Sequence, residues 1–145
     1  MISNPSECEL SKLENTDGIV GIGVDIIETG RFELDERPHE NRCFQRMFSQ
    51  RELDTATRRQ DVEQFLAGRF ALKEAVLKAL PSANLSLLDL SQIDIESTSN
   101  GPPVVRLPRT VDQDYSVLGS ISHDTAYAIG FAIVTNGFTS SSGAK

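Results

Sequence analysis

The sequence predicts an α+β protein in which a small antiparallel sheet packs on one long central helix. Residues 65–80 consist of strong helix formers and are followed by Pro81, which indicates a helix of about four turns. In residues 92–107 and 115–134, large apolar side chains alternate with small or polar ones on both sides of a turn, which indicates two hairpins. In residues 126–134, alanine and glycine occupy every second position, and a helix can dock closely on such a small face.

Composition is typical of a single globular domain. The chain has 145 residues, 39% of them hydrophobic and 24% charged. No apolar run approaches the ~18 residues that cross a bilayer, and the N-terminus lacks the basic and apolar regions of a signal peptide. We therefore expect a cytoplasmic protein without membrane partners. Cys8 and Cys43 lack the spacing of a zinc site or a disulfide scaffold.

Charge is unevenly distributed along the chain. The net charge of -7 argues against a nucleic-acid partner. Residues 31–59 nevertheless hold seven of the 14 basic residues and six acidic residues, a net charge of +1, which leaves -8 for the rest. An arginine-rich segment in an acidic protein suits an acidic partner or phosphate groups. Solvated helix faces of mixed charge would explain the same composition.

Three regions are predicted along the chain. Residues 1–17 are polar and lack an apolar period, so we expect a flexible N-terminal extension. Residues 18–135 form the folded domain. Residues 136–145 are rich in serine and glycine and are predicted to be a disordered tail.

The first strand is predicted over residues 19–27. Its alternation places Val20, Ile22, Val24 and Ile26 on one face, which we expect to pack in the core. The opposite face carries two glycines and Asp25, and glycine within a strand is typical of a close approach by a ligand or another backbone. Asp25 would sit at the exit of the strand, where it could also cap a following helix.

Three helices are predicted before the central one. The first spans residues 28–36 and carries Arg31, the second spans 41–48, and the third begins at the capping box of residues 49–52. The central helix follows, and Asp61 can cap its start. Because this helix is apolar nearly all round, a carboxylate on it needs a partner. Glu74 could form an intrahelical ion pair with Lys78, four residues later.

Three signals together indicate a metal and phosphate site. Asp25 follows a glycine-lined strand, Glu74 and Lys78 lie on a buried helix, and His123 lies between two strands. Two carboxylates suit Mg²⁺, which keeps waters and takes further ligands from substrate phosphates. Lys78 and His123 would supply positive charge or hydrogen bonds to those phosphates. A hydrogen-bonded turn histidine is the alternative for His123.

The same segments resemble the holo-acyl-carrier-protein synthase family, the short 4'-phosphopantetheinyl transferases. The matching stretches are residues 21–26 (GIGVDI) with Arg31, residues 65–75 (FLAGRFALKEA) with Lys78, and residues 120–124 (SISHD). The resemblance covers about residues 19–134. It implies the family fold, a small antiparallel sheet wrapped around and packed on the long central helix. It also implies transfer of the phosphopantetheine arm of coenzyme A, the substrate, to a serine of an apo carrier protein, with release of 3',5'-ADP, in fatty acid or polyketide synthesis.

The resemblance also implies roles for individual residues. Asp25 and Glu74 match the magnesium ligands, and Lys78 matches the residue that contacts the diphosphate and protonates the leaving group. Arg69, Ser122 and His123 correspond to coenzyme-contacting positions. The base that accepts the serine proton stays open between Glu74, a metal-bound water and Asp54. Arg31 matches the arginine that docks the acidic carrier protein, and members of this length assemble as homotrimers with sites between neighbours.

Two other classes of function use the same features. A magnesium-dependent phosphohydrolase of a nucleotide or coenzyme A diphosphate would use the same ligands with water as the nucleophile. A non-catalytic coenzyme-binding or assembly module would use the basic segment alone. Turnover without a carrier would indicate the first, and coenzyme A binding without transfer would indicate the second.

Overall fold

The computed structural model describes residues 18–34, 37–82 and 88–136. Within these ranges the strands are β1 (Ile19–Glu28), β2 (Asp94–Glu96), β3 (Val104–Arg106), β4 (Tyr115–His123) and β5 (Tyr127–Asn136). The α-helices are α1 (Arg42–Met47), α2 (Gln50–Thr57), α3 (Val62–Ala79) and α4 (Arg109–Asp112), with 3-10 turns at Thr29–Phe32 and Leu90–Gln92. All strand pairs are antiparallel, in the order β1-β5-β4-β3-β2. The predicted α+β class and both predicted hairpins are confirmed.

The predicted central helix is confirmed as α3. It begins at Val62, three residues before the predicted start, and ends at Ala79. Buried residues lie on every side of it, from Phe65 to Ala79. Asp61 occupies the position before the helix, but its side chain makes no capping hydrogen bond. Its carboxylate instead accepts two hydrogen bonds of 2.6 Å from Arg59. The predicted cap is therefore wrong, because a nearby guanidinium binds this carboxylate.

Small residues set the contact between α3 and the sheet. A Cβ added to Gly23 would lie 2.8 Å from the carbonyl carbon of Ala75, and one added to Gly21 would lie 2.9 Å from that of Ala79. Gly130 of β5 meets the backbone of Ala71 in the same way. Only a strand without side chains at these positions can approach the helix backbone so closely. The predicted docking of a helix on the small face of β5 is confirmed.

This packing reverses the expected orientation of β1. The side chains of Ile22, Val24 and Ile26 were expected in the core, but they are 59%, 57% and 60% exposed. The expectation was wrong because the alternation of a strand defines two faces without stating which one packs. The glycine face docks on the alanines of α3, so the apolar face points outward.

Two further differences concern the segment after β1. Glu28 still pairs with Tyr127 in the sheet, and Thr29–Phe32 forms only a 3-10 turn, so the helix predicted over residues 28–36 is wrong in the described part. Thr29 and Gly30 explain this, because neither favours a helix start followed by a regular helix. Residues 35–36 lie outside the described ranges.

The other predicted helices are confirmed. Asn41 caps α1 by accepting hydrogen bonds from two backbone N–H groups. Ser49 and Glu52 form the predicted capping box at the start of α2. The predictions for residues 1–17 and 137–145 fall outside the described residues. Asn136, assigned to the tail, is the last residue of β5 and donates its N–H to the carbonyl of Gly18 at 2.8 Å.

A buried ion pair attaches α1 and α2 to the central helix. Lys73 Nζ lies 2.6 Å from Glu52 Oε2, and the two side chains are 0% and 1% exposed. Lys73 also donates to the carbonyls of Met47, at 2.9 Å, and Leu90, at 3.0 Å. The other carboxylate oxygen of Glu52 accepts the N–H of Ile95 at 3.1 Å. One ammonium and one carboxylate therefore connect five segments: α1, α2, α3, the 3-10 turn at Leu90–Gln92 and β2.

None of the helices in the described part of the chain has the length and apolar character that crossing a membrane requires.

Candidate active site

Asp25 lies on the glycine face of β1, in register with Gly130 of β5. Its Oδ1 accepts a hydrogen bond of 2.6 Å from Lys78 Nζ, and the same ammonium donates to the carbonyl of Val24 at 3.1 Å. Because β1 continues to Glu28, Asp25 lies within the strand and not at its exit. It therefore does not cap a helix, and that alternative is wrong.

Glu74 lies on α3, one turn before Lys78, and is partly buried. Burial raises the pKa of its carboxyl, the negative charge of Asp25 raises it further, and Lys78 opposes both effects. The two predicted metal ligands, far apart in the chain, thus interact electrostatically in the fold. Lys78 forms its ion pair with Asp25, and in the described part of the chain no ion pair joins Glu74 to Lys78 within 4.0 Å.

The donor set of this carboxylate pair suits a magnesium ion. Asp25 and Glu74 provide hard oxygen ligands. Burial and, after it, the negative charge of Asp25 raise the pKa of Glu74, and a bound cation would stabilise the charged form of both carboxylates. The described residues offer no cluster of three or more His, Cys, Asp or Glu side chains that could hold a metal. One or two carboxylates with substrate phosphates are the usual environment of protein-bound Mg²⁺, so the pair fits that ion.

A second cluster lies beside β4 and the start of α3. Arg69 and His123 line a pocket of about 240 Å³, together with Ser97 and Arg59. Arg69 is 9% exposed, and its guanidinium lies 4.2 Å above the ring of Phe65. It donates to the hydroxyl of Ser97 through Nη2, while its buried Nε has no hydrogen-bond partner among the described residues. A cation with a free buried donor in a pocket suits an anionic group.

His123 is the last residue of β4 and not a turn residue. It lies opposite Ala128, on the sheet face that packs on α3. Ser122 alternates with it and lies opposite Ile129, so it belongs to the outer face of the sheet. Of the predicted coenzyme contacts, the fold brings Arg69 and His123 together and places Ser122 apart.

The carboxylate pair and the pocket are separated within one chain. Asp25 and His123 lie two strands apart and two residues out of register, which corresponds to roughly 12 Å between their Cα atoms. Ala128, between the two strands, belongs to a buried cluster with Phe32 and Phe65. We call the two clusters half-sites: Asp25, Glu74 and Lys78 form the first, and the pocket lined by Arg69 and His123 forms the second.

Asp54 and Arg31 are both exposed. Asp54 accepts a hydrogen bond of 2.9 Å from Gln50 of its own helix, α2. That helix contacts β2, at the opposite edge of the sheet from β1. Arg31 lies in the turn after β1, beside Ile26 and Tyr127. The structure thus brings Asp54 to neither half-site and places Arg31 on the surface next to the exposed apolar face.

Sequence reasoning predicted Arg69 and His123 but missed Asp61, Phe65 and Ser97 as residues of the pocket. Asp61, Phe65 and Arg69 are spaced four apart, which places them on one face of a helix. That spacing was a signal available from the sequence. Ser97, on the loop after β2, carried no such signal, because only the tertiary fold brings it to Arg69.

Comparisons with known proteins show the family to which the chain belongs. The family model described as the 4'-phosphopantetheinyl transferase superfamily matches residues 21–132, which include both half-sites. The chain therefore belongs to the 4'-phosphopantetheinyl transferase superfamily, as the resemblance predicted.

Within that superfamily, the similar proteins are holo-acyl-carrier-protein synthases. The one from Clostridium kluyveri is 37% identical over 122 residues, which cover 80% of this chain and 90% of that protein. The one from Chlamydia pneumoniae is 38% identical over 121 residues, which cover 79% and 96%. A holo-acyl-carrier-protein synthase from Bacillus anthracis, solved in complex with coenzyme A (3',5'-ADP), is 28% identical and superposes with a TM-score of 0.67 over 81% of this chain and 97% of that one. The Helicobacter pylori enzyme, solved in complex with coenzyme A, is 28% identical with a TM-score of 0.62 and coverages of 79% and 99%.

Proposed function

We propose that this protein transfers the 4'-phosphopantetheine arm of coenzyme A to a serine hydroxyl of an apo acyl carrier protein and releases 3',5'-ADP. The pairing of Asp25 and Glu74 beside Lys78 carries the proposal, because it provides ligands for a divalent ion next to a cation that can bind phosphate. The relatives named above support the carrier as acceptor and coenzyme A as donor.

The reaction forms one bond and breaks one. The serine oxygen attacks the phosphorus that bears the pantetheine, and the bond from that phosphorus to the bridging oxygen of 3',5'-ADP breaks. Mg²⁺ held by Asp25 and Glu74 would supply charge stabilisation at the diphosphate. Lys78 is 53% exposed, so its ammonium can turn from Asp25 to the leaving phosphate and donate a proton there.

The serine proton needs an acceptor. Glu74 suits this role better than Asp54, because it is partly buried beside Asp25 with a raised pKa, whereas Asp54 lies on α2, which contacts β2 at the opposite edge of the sheet from β1. A water on the metal is the third candidate. Arg69 and His123 hold an anionic part of coenzyme A in the second half-site.

We further propose a homotrimer. The outer face of the sheet exposes large apolar side chains that a single chain leaves in water; they are Ile22, Val24, Ile26, Leu118, Tyr127, Ile129 and Phe131. Exposed apolar patches of this kind mark protein interfaces. A neighbouring copy on this face would also bring its own half-site close, so that Asp25 of one chain and Arg69 of another could act on one coenzyme A.

The acidic carrier protein docks next to this site. Arg31 is exposed in the turn that follows β1, three residues after the strand that carries Asp25. Arg42 and Arg46 are exposed on α1. Opposite charges raise the encounter rate and fix the register of the two proteins. The product carrier would serve fatty acid or polyketide synthesis in the cytoplasm.

A carrier mass-shift assay tests the proposal. The full chain is incubated with apo acyl carrier protein, coenzyme A and Mg²⁺, and the carrier should gain one phosphopantetheine. Asp25→Asn and Glu74→Gln should abolish the gain, while Asp114→Asn, an exposed carboxylate at the start of β4, should leave it unchanged. Full activity of either site variant would refute the ligand assignment. Hydrolysis of coenzyme A without carrier would favour the phosphohydrolase instead.

A further inference from the structure

The pocket around Arg69 contains an anion of its own. Asp61 lines this pocket and accepts both hydrogen bonds, each 2.6 Å, from the guanidinium of Arg59, which lines it as well. The carbon of that guanidinium lies 4.9 Å from the centre of the Phe65 ring. Arg59 therefore faces the pocket with its charge already paired.

The pocket is otherwise built for a negative group. Arg69, nine-tenths buried, has a free Nε, and His123 lies at the rim. The first turn of α3, an 18-residue helix, reaches the pocket at Gln64. Asp61, the residue before this helix, makes no capping hydrogen bond to its backbone N–H groups, and Glu63 is the acidic residue of the first turn.

Arg59 and Asp61 have opposite effects on a phosphate in this pocket: the guanidinium would attract it and the carboxylate would repel it. Arg59 can add a bidentate contact to a phosphate only after Asp61 releases it. Hydrogen bonds from Arg59 lower the pKa of Asp61, so its carboxylate stays charged at neutral pH. A phosphate that binds Arg59 must therefore displace the Asp61 carboxylate, and a phosphate held by Arg69 still lies in a pocket that Asp61 lines with its negative charge.

We propose that Asp61 is an internal competitor for phosphate, which weakens the binding of phosphate-bearing ligands in the Arg69 pocket and thereby favours release of the nucleotide product. The inference rests on the proposed function, because coenzyme A and 3',5'-ADP are the ligands concerned. Asp61 would affect only the affinity of the pocket for phosphate-bearing ligands, and it takes no part in the chemistry. Product release limits turnover in many enzymes, and an internal anion is a simple way to hasten it.

The experiment compares ligand affinities of the full chain by calorimetry. Asp61→Asn should bind 3',5'-ADP about three to ten times more tightly than the wild type, since an exposed ion pair and one repulsion are removed. Adenosine, which has no phosphate, should bind both proteins equally. Asparagine is a good residue before a helix, so the fold should be retained.

Controls separate the inference from general charge effects. Asp114→Asn also removes one negative charge, but at the other end of β4, about 30 Å from His123 in the pocket, so it should leave the affinity for 3',5'-ADP unchanged. In an Arg59→Gln background, the gain from Asp61→Asn should shrink. The gain should also shrink in ~1 M salt, because screening weakens both interactions.

The outcomes distinguish the two proposals. If the wild type binds 3',5'-ADP and Asp61→Asn binds it no more tightly, the competitor role is refuted while the transferase stands. An equal gain for adenosine, or for Asp114→Asn, would refute it too. If the wild type binds neither 3',5'-ADP nor coenzyme A and transfers nothing to any carrier, both proposals fail.

Discussion

Replacement of Gly23 by alanine tests the packing on which the active site depends. The new Cβ would lie 2.8 Å from the carbonyl carbon of Ala75 and 3.1 Å from the backbone nitrogen of Ala79. Carbon atoms in contact prefer 3.5–4.0 Å, so β1 and α3 must separate by about 1 Å. Both clashing partners are backbone, which cannot rotate away as a side chain can.

The cost follows from overpacking at a rigid contact. We expect Gly23→Ala to lower the free energy of unfolding by about 3 kcal/mol, the upper end of the usual range for overpacking. For a chain of this size, that corresponds to a melting temperature lower by roughly 10 °C. Asp25 lies two residues beyond Gly23 and Glu74 immediately before Ala75, so the separation would also move the two proposed metal ligands apart. We expect transfer to fall by about 100-fold.

The assay pairs thermal unfolding with the carrier mass-shift measurement. Gly30→Ala is the matched control, because a Cβ there would meet nothing within 4 Å and the residue has no positive φ. That variant should be as stable as the wild type or more stable by about 0.4–1 kcal/mol. A Gly23→Ala protein that melts within ~2 °C of the wild type would refute the close contact between β1 and α3.

Three further predictions concern the ion pair, the pH dependence and the metal. Lys73→Met should lower the free energy of unfolding in urea by about 3–5 kcal/mol, because Glu52 is left buried without its partner. Adding Glu52→Leu should recover much of this loss, and a double variant without any recovery would contradict the account. Hydrogen bonds from the backbone N–H groups of Tyr127 and Ala126 lower the pKa of Asp124 from its usual 3.8. The charged carboxylate therefore stabilises the folded protein above pH 3.8, and this stabilisation is lost as the pH falls from 3.8 through the lowered pKa. Asp124→Asn should therefore show a shallower loss of stability with acid below pH ~4, and an unchanged slope would refute the assignment. Chelation by EDTA should stop transfer and added Mg²⁺ should restore it, with the melting temperature as a control for unfolding. Transfer that persists in EDTA would refute the metal requirement.

The oligomeric state has a direct test on the outer face of the sheet. Phe131→Glu places a charge at the centre of the exposed apolar surface, where Phe131 is 40% exposed. Sedimentation should show a trimer for the wild type and monomers for the variant. Because the two half-sites would then no longer meet, transfer should fall while each chain stays folded. A wild type that sediments as a monomer and transfers at full rate would contradict the trimer.

Local sequence was sufficient for most elements of the fold. Residues 65–80 combine helix formers with a terminal proline, and the capping box at Ser49 marks its helix through contacts three residues apart. The alternating segments of the last hairpin predict strands because side chains alternate every second residue. The three motifs that contain Asp25, Glu74 and His123 together sufficed to predict the family, since the residues within each motif are adjacent in the chain.

Contacts between distant segments decided the rest. Alternation in β1 defines an apolar face and a glycine face equally well, and only the alanines of α3 select the glycine face for the core. Lys78 could pair with Glu74 four residues away, but the fold offers it Asp25 at 2.6 Å. Local patterns are governed by backbone geometry within a few residues, whereas the inward face of a strand and the partner of a charge depend on which surfaces meet when the chain packs. The sequence by itself therefore determined most of the elements and the candidate site residues, and the tertiary structure determined their orientation and their division into two half-sites.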